Sequence, residues 1–180
     1  MDEDTFKLVQ RAQKGDKEAY GEIYKLYQKK IYRFSYYMIQ NQELAEDITQ
    51  NTFIKAWRAL PSFSLNKNGT IQAYLFKIAR NLTIDYQRKR KEVSLEVIED
   101  IMPSDENLEE IVARREEREM VARALKTLDE EERQIVVLRY FEDMSYEEIS
   151  KVVGKNEGAI RVRLHRILKK LKEEIKDYGN

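Results

Sequence analysis

The sequence predicts an all-α protein: two small helical domains joined by a flexible acidic linker, the second carrying a helix-turn-helix. Three observations predict it. Glycine and proline are scarce, 6 and 2 of 180 residues, while charged residues reach 37%, against a usual share of about 25%. Chains so short of turn formers and so rich in Glu, Lys, Leu and Arg favour helix. Apolar residues also recur at three- and four-residue steps through most of the chain. That rhythm lapses over 92–104, an acidic stretch containing Pro103, which reads as a linker. The domains are therefore set at 1–91 and 105–180.

The elements follow in order. A first helix covers 5–14 and stops at Gly15, the residue type that most readily closes a helix. Asp16 caps the second, in which Tyr20, Ile23, Tyr24, Tyr27, Ile31, Phe34 and Met38 form one stripe. A third helix over 42–59 aligns Ala45, Ile48, Thr52, Phe53, Ala56 and Trp57, and Pro61 ends it. Residues 61–70 are a loop by composition. A fourth helix, 70–90, buries Ile71, Tyr74, Leu75, Ile78 and Leu82. Of the 18 aromatic residues, 14 precede residue 92, so this part has a core of its own. The second domain draws on Leu108, Ile111, Val112, Val121, Ala124, Leu125 and Leu128, then on Ile135, Val136, Leu138 and Tyr140.

Function classes narrow from composition. The chain has no cysteine and one histidine, His165, which excludes thiolate chemistry and multi-histidine metal sites. No apolar run approaches the roughly 20 residues that span a bilayer, and the acidic start MDEDTFKLVQ is unlike a signal peptide. A cytoplasmic protein is expected, with no catalytic residue, metal, cofactor or small-molecule substrate. The formal net charge is zero, yet charge is segregated. Residues 1–91 hold 17 basic and 10 acidic side chains, and residues 92–119 hold 3 and 11. Such asymmetry suits a polyanion-binding protein whose acidic segment lies away from the binding surface.

Residues 145–172 carry the sharpest signal. Ser145 and Glu148 have capping-box spacing, Gly154 sits where a left-handed residue ends a helix, and Asn156 can cap the next. The second helix of this pair turns Ile160, Leu164, Ile167, Leu168, Leu171 and Ile175 to one side. Gly158, Arg161, Val162, His165, Arg166 and Lys169 lie away from that stripe, and Arg163 and Lys170 flank it. A helix with this basic face can enter a major groove, its early turns nearest base edges. Arginine bonds guanine bidentately, and lysine mainly fixes phosphates.

The first domain has a weaker basic face. Lys77, Arg80, Asn81 and Arg88 share one arc of the fourth helix, ahead of the run Arg88-Lys89-Arg90-Lys91. The preceding loop offers Phe63, Ser64, Asn66, Lys67, Asn68 and Gly69, groups able to stack on or hydrogen-bond an unpaired base. Phe63 and Tyr74 equally suit a core. Residues 44–57 (LAEDITQNTFIKAW) set Glu46, Asp47, Gln50 and Lys55 opposite an apolar stripe, a face that can stay solvated or dock a partner helix.

In this order the motifs resemble those of extracytoplasmic-function (ECF) sigma factors, the compact two-domain transcription initiation factors of bacteria. VQRAQKGDKEAYGEIYKLY is similar to the family's opening region, and LAEDITQNTFIKAW to the helix that docks on RNA polymerase. SFSLNKNGTIQAYLFKIARNLTIDYQRKRK resembles the −10 recognition and melting region, and residues 128–173 the −35 reading domain. The resemblance implies that Asp47, Gln50 and Phe53 belong to the polymerase-docking helix, with Phe53 packing inward. It implies that Asn81 and loop 63–69 receive a flipped −10 base. It assigns Arg161, Val162, Arg163, His165 and Arg166 to the recognition helix. The partners it implies are core RNA polymerase, promoter DNA and an anti-sigma factor, with or without a membrane anchor. Val162 stands where the family commonly has serine or threonine, and Tyr74 where it often has tryptophan. The alternative is a helix-turn-helix regulator acting without polymerase, which leaves the faces on 44–57 and 77–91 without a purpose. A helical enzyme finds no phosphate-loop, dinucleotide or nucleophile motif.

Overall fold

The computed structural model describes residues 3–64, 69–93 and 123–177, all helix, turn or loop. Most of the expected linker 92–104, the second-domain positions 108–121, and Asn66 and Lys67 lie outside them. Four helices build the first half: α1 (Glu3–Gln13), α2 (Lys17–Ile39), α3 (Gln42–Ala59) and α4 (Ile71–Val93). Three more build the described second half: α5 (Glu130–Val136), α6 (Tyr146–Val153) and α7 (Glu157–Asp177). The expected ends of the first-half helices hold to within about three residues.

Local chemistry sets the boundaries. The Asp16 carboxylate accepts the Ala19 N–H at 3.0 Å and the Arg11 Nε–H at 2.8 Å; the Ala19 bond leads, and together they hold its carboxyl below the usual range. Asn41 caps α3 through the Leu44 N–H, and Pro61 falls in the 3₁₀ turn Leu60–Ser62 that follows α3. Ile23, Ile31, Phe34, Leu60, Ile71, Leu75 and Phe76 are fully buried. Phe34 and Phe76 meet edge to face, centroids 5.4 Å apart.

The stripes need three corrections. Tyr140 is 51% exposed, Leu168 39% and Tyr24, at the rim of the α2 stripe, 37%. For Tyr140 the cause is a π-helical turn over Val137–Phe141 that follows α5. The Glu142 N–H reaches the Val137 carbonyl, five residues back, so the 3.6-residue rhythm no longer says which side faces inward. Leu168 falls about 100° round α7 from Ile167, at the edge of the stripe through which the buried Ile167 and the half-buried Leu171 meet the core.

The two halves pack against each other, a contact the expectation of loosely tethered domains did not include. α4 lies along α6, and α2 reaches α5 and the π turn. Arg33 donates from Nε and Nη2 to both oxygens of Glu142, at 2.7 and 3.0 Å, and from Nη2 to the Phe141 carbonyl at 2.8 Å. The Glu142 carboxylate is fully buried. Burial pushes it above the ordinary range against the pull of Arg33, while the bond to Glu142 holds Arg33 more firmly protonated. Gln72 donates to the Glu142 carbonyl, Thr70 to the Glu148 carboxylate, and Arg80 Nε to Oε1 of the buried Gln134. The Tyr37 and Phe141 rings meet across the seam at a tilt of 59°, centroids 4.9 Å apart.

Candidate nucleic-acid interface

The strongest candidate surface is built by the turn between α6 and α7. Ser145 and Glu148 form the reciprocal capping box that starts α6. Gly154 ends it at φ 73°, a left-handed conformation that costs a residue with Cβ roughly 1–2 kcal/mol. Asn156 then caps α7 by accepting the Ala159 N–H at 2.8 Å. Gly154 and Asn156 together fix how α7 leaves α6. Ile160, Leu164 and Ile167 hold α7 to the core. That leaves Gly158, Arg161, Val162, His165, Arg166 and Lys169 exposed together on the opposite side.

The basic residues do not all behave alike. Arg161 is exposed, its guanidinium 4.2 Å from the centroid of the Tyr146 ring and 3.7 Å from the Glu157 carboxylate. Arg163 points back into the domain. Its two Nη groups donate to Glu131 at 2.8 Å and to Asp129 at 2.7 Å. Asp129 also caps α5. Burial alone would raise its carboxyl, but the Glu132 N–H and the Arg163 guanidinium outweigh burial and hold it below the ordinary value. Lys155 pairs with Glu131 at 3.0 Å. Lys170 donates to the Thr127 carbonyl at 2.8 Å while remaining exposed.

On α4, Lys77, Asn81 and Arg88 are exposed along one line, and Arg88 also meets Asp85 at 3.2 Å. Arg80, expected beside them, is engaged by Gln134 of the other half. Phe63 is only 7% exposed, its ring 5.1 Å from Tyr74. Gln13 pins this part of the chain by donating to the Leu60 and Phe63 carbonyls. Phe63 thus serves as the buried root of the loop, and Ser64 beside it is half-buried. At the loop's far end, Gly69 adopts φ 72°, and a Cβ there would come within 3.3 Å of Lys151 Cγ on α6.

On α3, Asp47 and Gln50 are exposed and Phe53 is buried. Phe53 packs against Tyr24 at 4.7 Å, and its carbonyl accepts the Tyr20 hydroxyl at 2.6 Å. Burial leads in pushing that hydroxyl's pKa far above its ordinary value. Sequence reasoning missed Ile54, which is 48% exposed and continues the line of Asp47 and Gln50 by a four-residue step. An apolar residue interrupting a polar face was the available signal. It also missed Tyr146, whose ring lies beside the Arg139 and Arg161 guanidinium groups. Among the described residues, no group of acidic or histidine side chains could hold a metal ion, and no helix is long and apolar enough to cross a membrane.

Comparison with known proteins adds family to geometry. Residues 23–93 match the Sigma-70 region 2 family and residues 118–171 the Sigma-70 region 4 family. The ECF RNA polymerase sigma factor BldN of Streptomyces coelicolor is 32% identical over 94% of this chain, which spans 65% of that relative. The ECF sigma factor SigW of Bacillus subtilis is 31% identical, with 95% of this chain and 96% of SigW covered. Among solved structures, CnrH in complex with the cytosolic domain of CnrY aligns with a TM-score of 0.75 at 25% identity, covering 98% of this chain and 99% of that one. The sigma factor RpoE of Bartonella quintana, in complex with the anti-sigma factor NepR, aligns at 0.70 and 26% identity, over 87% and 96%.

Proposed function

The chain belongs to the ECF RNA polymerase sigma factors, and from that premise we propose how its parts divide the work. It acts in the cytoplasm as a dissociable subunit that binds core RNA polymerase and directs promoter-specific initiation. It does no covalent chemistry itself. The exposed side of α3, with Asp47 and Gln50, meets the polymerase. The line Lys77, Asn81 and Arg88 on α4, with loop 63–69, handles the −10 element. A base leaving the stack there must be repaid by stacking and hydrogen bonds, because unstacking costs a few kcal/mol. Asn81 offers an amide for that purpose. The exposed side of α7 reads the −35 element, with Arg161 in an early turn near base edges and Lys169 further along near phosphates.

The observation that carries this reading is the coexistence of three separate exposed faces, on α3, α4 and α7, in one chain. A helix-turn-helix regulator needs only the last. CnrH was solved with the cytosolic domain of CnrY and RpoE with the anti-sigma factor NepR, which supports an anti-sigma partner here, soluble or membrane-anchored. Gel filtration with core polymerase tests the assignment. Co-elution at sub-micromolar concentration is expected, with tight promoter binding only in the complex. Tight promoter binding by the chain alone, without co-elution, would instead identify a free-standing regulator.

A further inference from the structure

Tyr146 opens α6, directly after the Ser145 cap, with its ring half-buried against the core. Two guanidinium groups lie over that ring. Arg161, from α7, is 4.2 Å from the centroid, and Arg139, from the π turn, is 5.0 Å away. Arg139 is itself tied down, since its Nη1 donates to the Met144 carbonyl at 2.8 Å. The ring is therefore held by the core beneath it and by an anchored cation over it. Among the described residues Arg161 also meets Glu157, at 3.7 Å, too long for a strong hydrogen bond.

A guanidinium stacked on an aromatic face is attracted by the ring's quadrupole. The flat face of the group can make such a contact without spending its N–H donors, which lie in the guanidinium plane. A contact of that kind limits the side chain's rotamers before binding and leaves the bidentate edge for a base. A long, exposed arginine would otherwise lose that freedom on contact with DNA. We infer that Tyr146 is a positioning residue for promoter reading: its ring presents the Arg161 guanidinium, edge free, to a base of the −35 element. This rests on the reading of Arg161 as a base contact.

The test compares holoenzymes carrying Tyr146→Phe, Tyr146→Leu, Arg161→Ala and the Tyr146→Leu/Arg161→Ala pair on a panel of single-base −35 variants. Thermal melts are run first, and binding is measured well below every transition. Tyr146→Phe should match the parent. Tyr146→Leu should lose discrimination by roughly threefold to tenfold, the worth of one such contact, at the same base position that Arg161→Ala relaxes. The double variant should lose no more there than Arg161→Ala alone. A merely structural role for the ring would lower all promoters together and leave base preference intact, which overturns the inference. So does a Tyr146→Phe variant as defective as Tyr146→Leu, because the hydroxyl would then be the acting group. If Tyr146→Leu keeps full discrimination while Arg161→Ala loses it, the inference falls and the base contact stands. If Arg161→Ala itself weakens every sequence equally, the base contact falls, and the inference with it.

Discussion

Arg163 shows how one position on a helix decides between two fates. The projection of α7 left it flanking the apolar stripe, and there a long side chain can either reach outward or fold back. Asp129 and Glu131 settle the matter by offering two carboxylates at bonding distance. Arg163→Ala should therefore destabilise the second half by roughly 1 kcal/mol, the modest figure expected for a half-exposed pair network. Base preference on a promoter panel should not change, whereas Arg161→Ala should alter it. Equal stability with altered base preference would reverse the two roles. On α3, Asp47→Ala with Gln50→Ala removes two exposed side chains that support no core contact. Core-polymerase binding in a pull-down should weaken severalfold while the circular dichroism spectrum and melting temperature hold; unchanged affinity would move the docking surface off α3.

At the scale of elements, the sequence is legible wherever a boundary is enforced locally. Asp16, Asn41, Ser145, Gly154 and Asn156 each act within four residues of themselves, so their spacing alone locates helix ends. The π turn is illegible for the opposite reason. Nothing in VLRYF marks a five-residue hydrogen bond, and the turn buries its own Val137 and Leu138 in the core. Asp129 lies between these cases, because its capping box is local and its pairing with Arg163 is not. Since its carboxyl is held below the ordinary 3.8, its contribution is complete above that value and is lost as pH falls through the lowered one. Asp129→Asn keeps a capping oxygen and removes the charge. Melting temperatures from pH 2 to 7 should fall less steeply on the acid side for this variant than for the parent. Parallel acid limbs would mean that the Asp129–Arg163 pair adds nothing.

At the scale of the molecule, each half was readable but the seam between them was not. Its members, Arg33, Thr70, Gln72 and Arg80 on one side and Gln134, Glu142 and Glu148 on the other, are polar residues that look like solvated surface in a helical projection. Only their meeting in space reveals a use. Arg33 remains 38% exposed, but its partner carboxylate has no access to water. Arg33→Ala leaves that carboxylate buried without its cation, a loss of roughly 2 kcal/mol, below the 3–5 of fully buried pairs because water screens the arginine. The variant should part at the seam before either half melts. Small-angle scattering should show a radius of gyration above the roughly 16 Å of a close-packed chain of this length. An unchanged radius and melting temperature would show that the seam holds without the pair.

The seam also sets a mismatch of lengths. Elements named for positions −35 and −10 lie about 25 base pairs apart, which at about 34 Å per ten base pairs is about 85 Å of straight duplex. A close-packed body of 180 residues is only about 40 Å across. On the proposed reading, a body so packed is too short a ruler for both elements, and Arg80 is engaged by Gln134 in the described seam. Bridging both elements would then part the two halves by tens of ångströms and wet the Glu142 carboxylate. The free energy of that parting is subtracted from promoter affinity. A ligand that favours the packed form therefore competes with the promoter without touching a single base.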